Sequence, residues 1–276
     1  MAQVPLKAYE DVEFLKSDVC RAVRLQLEML KPEVTMQAEG IESTIVVFGS
    51  ARLLSPEKAE SQLSECQKAL AASPDDPKTR SLVRRSEGMV RQSHYYAVAR
   101  EFSALVSREC QRLGACQCVV VTGGGGGIME AANRGAVDAS AKSIGLNITL
   151  PHEQTPNPYI SEGLSFQFHY FSIRKMHFLM RAKAMCAFPG GFGTMDELFE
   201  ALTLIQTGKV QRMPIVLFGR EFWEQFLDWS VLVERGLIDE CDLGLFQYCE
   251  TAAEAWDHIL SFSPGIVLSS GSGDSS

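Results

Sequence analysis

From residue 118 onward the chain repeats one pattern: a short apolar run, a turn of small residues, then a stretch with helical spacing. "CVVVT" (118–122) leads into a glycine run and a helix, and "SIGLNITL" (143–150) ends at Pro151. "LSFQFHY" (164–170) precedes a helix over 172–183, and "AMCAF" (184–188) precedes one that starts at Thr194. "MPIVLF" (213–218) is followed by a single helix over "REFWEQFLDWSVLVERG", and "FQYCE" (246–250) by the helix around Trp256. Strands alternating with helices predict a mainly parallel sheet covered on both faces. The expected fold class is therefore α/β, a doubly wound parallel sheet. In such sheets a ligand sits at the carboxyl ends of the strands.

Upstream, "STIVVFGSA" (43–51) is a further strand running into a small-residue turn. Before it, Val12, Leu15, Val19, Val23, Leu27 and Leu30 keep helical spacing, which predicts an apolar face packed on the outside of the domain. Residues 55–113 read as a helical hairpin broken near "SPDDPK" (73–78). The expected layout is a helical extension (1–40), a main domain (41–268) carrying the largely helical insertion 55–113, and a disordered polar tail (269–276). With 46% hydrophobic residues the chain can fill a substantial core. Its net charge of −8 argues against nucleic acid or a membrane surface as partner, so an anionic ligand would need a local basic pocket. Eight scattered cysteines read as reduced thilols of a cytoplasmic protein, and no run of eighteen apolar residues predicts a membrane span.

Two glycine clusters follow strands. "VVVTGGGGGIMEAANRGA" (119–136) misses the G-x-G-x-x-G register, because from Gly123 the last position is Ile128 and from Gly124 it is Met129. A dinucleotide is thus a weak reading, and a tight turn for close strand–helix packing competes with an anion site. The second cluster, "PGGFGTMDE" (189–197), leaves several amides free at the positive end of a helix dipole. Thr194-x-x-Glu197 alone would be explained by a capping box; the glycines before it would not. The P-loop lysine is missing, so a phosphate here is a handle rather than the group transferred. Asp196 and Glu197 can then face another part of the ligand, where a carboxylate could stabilise positive charge on a sugar ring.

Cations come from "YFSIRKMHFLMRAKA" (170–184), with Ser172 as the expected N-cap and Arg174 and Lys175 in the first turn. A cation there opposes the helix dipole by about 0.3–1 kcal/mol, so Arg174 costs stability unless an anion is near. Arg181 and Lys183 fit a solvated basic face. Lys175 could also be read as a Schiff-base lysine for pyridoxal phosphate, without a second supporting feature. His169 and His177 read as structural.

Taken in order, "VFGSAR", "TGGGGGIMEAANRGA", "LNITLPHEQTPNPYI", "FSIRK" and "PGGFGTMDE" resemble the Lonely Guy-type phosphoribohydrolases over roughly residues 43–260. The last segment matches that family's P-G-G-x-G-T-x-x-E signature at every fixed position. The resemblance implies a Rossmann-like homodimer that hydrolyses the N-glycosidic bond of cytokinin riboside 5′-monophosphates or AMP with neither metal nor cofactor. It implies Arg174 and Glu197 as the catalytic pair, and Gly190, Gly191, Gly193 and Thr194 as the phosphate loop. It further implies Lys175, Asp196, Thr203 and Glu153 as substrate contacts, with Gly49, Ser50, Gly123 and Gly124 lining the same cleft. Asp196 stands where the family often has a glutamate, and the extension and insertion exceed minimal members. A non-catalytic nucleotide sensor or carrier is the alternative; amino-acid decarboxylation lacks a pyridoxal signature.

Overall fold

The computed structural model describes residues 5–111, 116–150 and 155–262. Glu153 and the tail 269–276, both singled out above, lie outside the described residues. Seven strands form one sheet: β1 (Thr44–Phe48), β2 (Val119–Thr122), β3 (Ser143–Ile148), β4 (Ser165–Phe168), β5 (Ala182–Ala187), β6 (Ile215–Phe218) and β7 (Phe246–Cys249). Their order is β4-β3-β2-β1-β5-β6-β7, and every neighbouring pair is parallel. This is the expected α/β, Rossmann-like sheet. The order reverses at β1, which pairs with β2 on one side and β5 on the other. Such a reversal opens a crevice at the carboxyl ends of the two flanking strands.

Eleven α-helices are described: α1 (Val12–Lys16), α2 (Arg21–Ala38), α3 (Pro56–Ala72), α4 (Pro77–Gln92), α5 (His94–Cys110), α6 (Ile128–Asp138), α7 (Phe171–Met180), α8 (Phe192–Gln206), α9 (Arg220–Phe226), α10 (Trp229–Glu234) and α11 (Ala252–Phe262). Alternate strand residues feed two cores. Ile45, Val47, Val120, Cys186 and Val216 pack with Phe102, Val106, Ala131 and Trp256 from α5, α6 and α11. Val46, Phe48, Val121, Leu146, Met185 and Leu217 pack with Met36, Phe178, Leu198 and Trp223 from α2, α7, α8 and α9.

Several local expectations are corrected. The helix expected to run unbroken from Arg220 stops at Phe226, because Asp228 accepts a bond from the Ser230 amide and starts α10. Within 55–111 there are three helices rather than a hairpin, α3 and α4 paired and α5 laid against the sheet. Val19, Val23, Leu27 and Leu30 do not pack on the domain; they are exposed, from 44% to 83%. The side of α2 that meets the body carries Glu28, Pro32, Glu33 and Met36 instead. Arg181, expected on a solvated face, pairs with Glu33 at 2.6 Å, and Lys183 lies on β5.

Candidate active site

The crevice at the reversal point is bordered by the turn after β1 (Gly49–Arg52), the turn after β5 and the start of α8 (Pro189–Thr194, Asp196, Glu197), and Arg174 of α7. Its volume is about 630 Å³, within the range of small-molecule sites. The two turns are tied together: the Ser50 amide donates to the Pro189 carbonyl at 3.0 Å, and the Ile128 amide to the Ser50 carbonyl at 3.1 Å.

At the start of α8 the sequence expectation needs correcting. The helix begins at Phe192, two residues before Thr194, with Gly191 as N-cap. The Gly191 carbonyl accepts from both Thr194 and Met195 amides, so the Thr194–Glu197 capping box does not form. Gly190 must be glycine here, since a Cβ would lie 2.1 Å from Thr194 Oγ1. Among the described residues no protein acceptor engages the amides of Gly190, Gly191, Phe192 or Gly193. Those amides, at the positive end of a helix of 15 residues, are free for an anion.

α7 also starts earlier than expected, at Phe171, so Ser172 is not its N-cap. No side chain caps α7; the Glu28 carboxylate of α2 instead accepts from the His169 and Tyr170 amides just before its first turn, at 2.9 and 3.1 Å. An anion at this end opposes the destabilisation that the nearby cations impose. Arg174 is clamped by its Nε donating to the Leu146 carbonyl at 2.8 Å and by the Phe178 ring, 5.1 Å from its guanidinium carbon. Its outer nitrogens reach the glycine run after β2, where a Cβ on Gly123 would lie 2.7 Å from Nη2. No described carboxylate pairs with Arg174, and burial pulls its guanidinium below the ordinary arginine value.

Glu197 is buried, 7% exposed, and borders the crevice. Burial pushes its carboxyl above the usual glutamate value, against the pull of Lys175 and Arg174. Lys175 Nζ stands 3.4 Å from Glu197, 2.9 Å from Asp196 and 2.6 Å from Glu200. Its burial lowers the ammonium, but the bonds to Glu200 and Asp196 and the charge of Glu197 outweigh that and hold it above the ordinary lysine value.

Of the residues expected at the site, the crevice therefore gathers Gly49, Ser50, Arg174, Gly190, Gly191, Gly193, Thr194, Asp196 and Glu197. Gly123 lies beneath Arg174. Gly124 adopts φ +75° and is held behind the turn, its carbonyl accepting from the Asn157 backbone and side chain. Lys175 stands behind the acids rather than on the crevice wall. Thr203 is an exposed residue whose hydroxyl donates to the Phe199 carbonyl at 2.7 Å, and it does not border the crevice. Sequence reasoning missed Arg52, Gln92, Met129, Phe171 and Phe222 on the wall. Arg52 stood in the quoted "VFGSAR"; Gln92 and Phe222 come from distant helices and carry no local signal.

Fold and crevice together define a Rossmann-like α/β protein with a mixed apolar and charged crevice at the reversal of its parallel sheet. Residues 129–259 match the family described as possible lysine decarboxylase. A probable cytokinin riboside 5′-monophosphate phosphoribohydrolase of Oryza sativa subsp. japonica is 27% identical over 140 residues, 49% of this chain and 59% of the relative. A cytokinin riboside 5′-monophosphate phosphoribohydrolase of the same organism is 30% identical over 126 residues, 44% of this chain and 50% of the relative. The chain thus spans only half to three fifths of the length of these relatives. These matches bear out the Lonely Guy-type resemblance of the sequence. Among solved structures, an X-ray structure of the structural-genomics target TM1055 aligns with a TM-score of 0.47 and 19% identity, over 79% of this chain and 99% of that one. The molybdenum cofactor binding protein from the phototrophic bacterium Rippkaea orientalis aligns with a TM-score of 0.43 and 19% identity, over 61% and 87%.

Proposed function

We propose that the protein hydrolyses the N-glycosidic bond of a nucleoside 5′-monophosphate, AMP or an N6-substituted AMP such as a cytokinin riboside 5′-monophosphate. The products are the free base and ribose 5-phosphate. The observation that carries this reading is the placement of a buried carboxylate, a clamped guanidinium and four unengaged amides on one crevice. The 5′-phosphate lies on the amides of Gly190, Gly191, Phe192 and Gly193, with the Thr194 hydroxyl beside it. Its anchoring leaves the pentose near Arg174, Asp196 and Glu197. As the C1′–N bond lengthens, positive charge grows on the ring, and ionised Glu197 stabilises it and orients the attacking water. Water adds hydroxide to C1′ and its proton leaves with the base; Arg174 fixes the ribose and assists the departing base. We place this chemistry in a homodimer, as the resemblance implies.

The decarboxylase description requires a lysine able to form a Schiff base, hence a neutral amine. Lys175 is held protonated by three carboxylates, which opposes that chemistry.

The test is incubation with AMP and with N6-substituted AMP, assaying base and ribose 5-phosphate. The expected result is release of both in equal amounts, with Glu197→Gln slowing turnover by about 10²–10⁴-fold. Tight nucleotide binding with no base release would instead make the protein a sensor or carrier.

A further inference from the structure

Three carboxylates converge on one ammonium, and the closest of them, Glu200, has no role in the reading above. Glu200 follows Asp196 by four residues and Glu197 by three, so all three occupy one face of α8. It does not border the crevice. With Lys175 it borders a second hollow, of about 570 Å³, on the far side of the acids. Lys175, with a side chain only 14% exposed, borders that hollow and lies behind the crevice-facing acids, paired with Glu200 on the hollow's side and with Asp196 and Glu197 on the other.

We propose that Glu200 is a positioning residue for Glu197, acting through Lys175: by taking the shortest contact it holds the ammonium back and leaves the Glu197 carboxylate free to face the pentose. The inference rests on the hydrolytic role given to Glu197. An ammonium has three donors, and hydrogen bonds weaken beyond about 3.2 Å. Glu200 and Asp196 occupy two of them at bonding distance, and Glu197, at 3.4 Å, keeps the weakest hold. Removing the Glu200 charge has two consequences of the same sign. The ammonium shifts toward the remaining acids, and a negative neighbour of Glu197 disappears. Both favour ionised Glu197.

Among the described residues, few charged groups face Glu197. α7 brings Arg174 and Lys175, and α8 itself brings Asp196 and Glu200. The turn after β1 contributes Arg52 to the same crevice, while α6 and α9 contribute the non-titrating Met129 and Phe222. Glu200 is partly exposed, with a third of its side chain accessible, so Glu200→Gln removes charge without leaving a buried void.

The experiment is a carbon-13 NMR titration of the Glu197 carboxyl in the full chain, for wild type, Glu200→Gln, Glu200→Asp and Lys175→Met. It is paired with the pH profile of kcat/KM on AMP. In Glu200→Gln the Glu197 midpoint falls by about half a pH unit or more, and the acid limb of the profile moves down with it. Lys175→Met moves the midpoint up, and Glu200→Asp returns it toward wild type. Placing Glu200→Gln in the Lys175→Met background separates action through Lys175 from direct repulsion: the downward shift shrinks there when the ammonium carries it, and an undiminished shift overturns the proposal. An unchanged or raised midpoint in folded Glu200→Gln overturns the proposal, whatever Lys175→Met does. If the midpoints move as expected but wild type releases no base from any nucleoside monophosphate, the electrostatic coupling stands while its catalytic purpose, and the hydrolase reading, fall.

Discussion

At the scale of single residues, Glu197 shows a conflict between folding and chemistry. Burial disfavours its ionised form, so the folded state prefers a protonated carboxyl there. Its folded value lies above the ordinary glutamate value of about 4.3, which the unfolded chain has. The associated stability is full below that ordinary value and is lost as pH rises through the raised one. Glu197→Gln should therefore melt higher than wild type at pH 7–8, with the gain vanishing near pH 4; calorimetry across that range checks it. A variant both slower and more stable is the expected signature of a group kept for function. Arg174 could be singled out from sequence because a cation in a helix's first turn opposes the dipole, whereas Glu197, an ordinary first-turn acid, stood out only through the family signature around it. Glu200 was visible as well, one turn from Asp196, but helical spacing alone cannot say that all three acids share one lysine.

Among elements, α2 shows where periodicity misleads. Val19, Val23, Leu27, Leu30 and Val34 form a narrow apolar stripe, yet all are exposed. What holds α2 is the less regular side: Glu28 bonded to the amides just before α7, Glu33 paired with Arg181, and Met36 in the core. A hydrophobic stripe marks a face that prefers to leave water; it does not say whether the same chain provides the cover. Leu27→Gln should accordingly change stability by less than about 0.5 kcal/mol. Met36→Ala, which empties a site only 2% exposed, should cost about 2–5 kcal/mol in urea unfolding. The central strands β1, β2 and β6 were legible because each is a fully buried apolar run, and β4 because its buried phenylalanines alternate with exposed residues. Helix starts at α7 and α8 were not, since neither has a side-chain cap that a capping residue in the sequence would mark.

Across the whole molecule, the first glycine turn is supported from below by a buried polar network. Thr122 Oγ1 donates to Asn133 Oδ1 at 2.8 Å, and Asn133 Nδ2 donates to Ser143 Oγ at 3.0 Å. Asn157 Nδ2 donates to Asn133 Oδ1 and to the Gly125 carbonyl. The network joins β2, α6, β3 and the segment before β4, and the Asn133 side chain bonds to members of the other three. Asn133→Ala strands several buried partners and should cost roughly 3 kcal/mol, read as a drop of about 6–12 °C in Tm. No spacing rule predicted it, because its members lie up to 35 positions apart and are ordinary polar residues one by one. The acidic overall balance, by contrast, was readable at once, together with the need for a basic pocket that Arg174 and Arg52 supply. β1 is the seam of the molecule: one edge holds the strands that bring the first glycine turn, and the other holds the strand that leads into α8. The crevice has no existence in either half alone, so it comes into being only when the early and late parts of the polypeptide have met along that single strand.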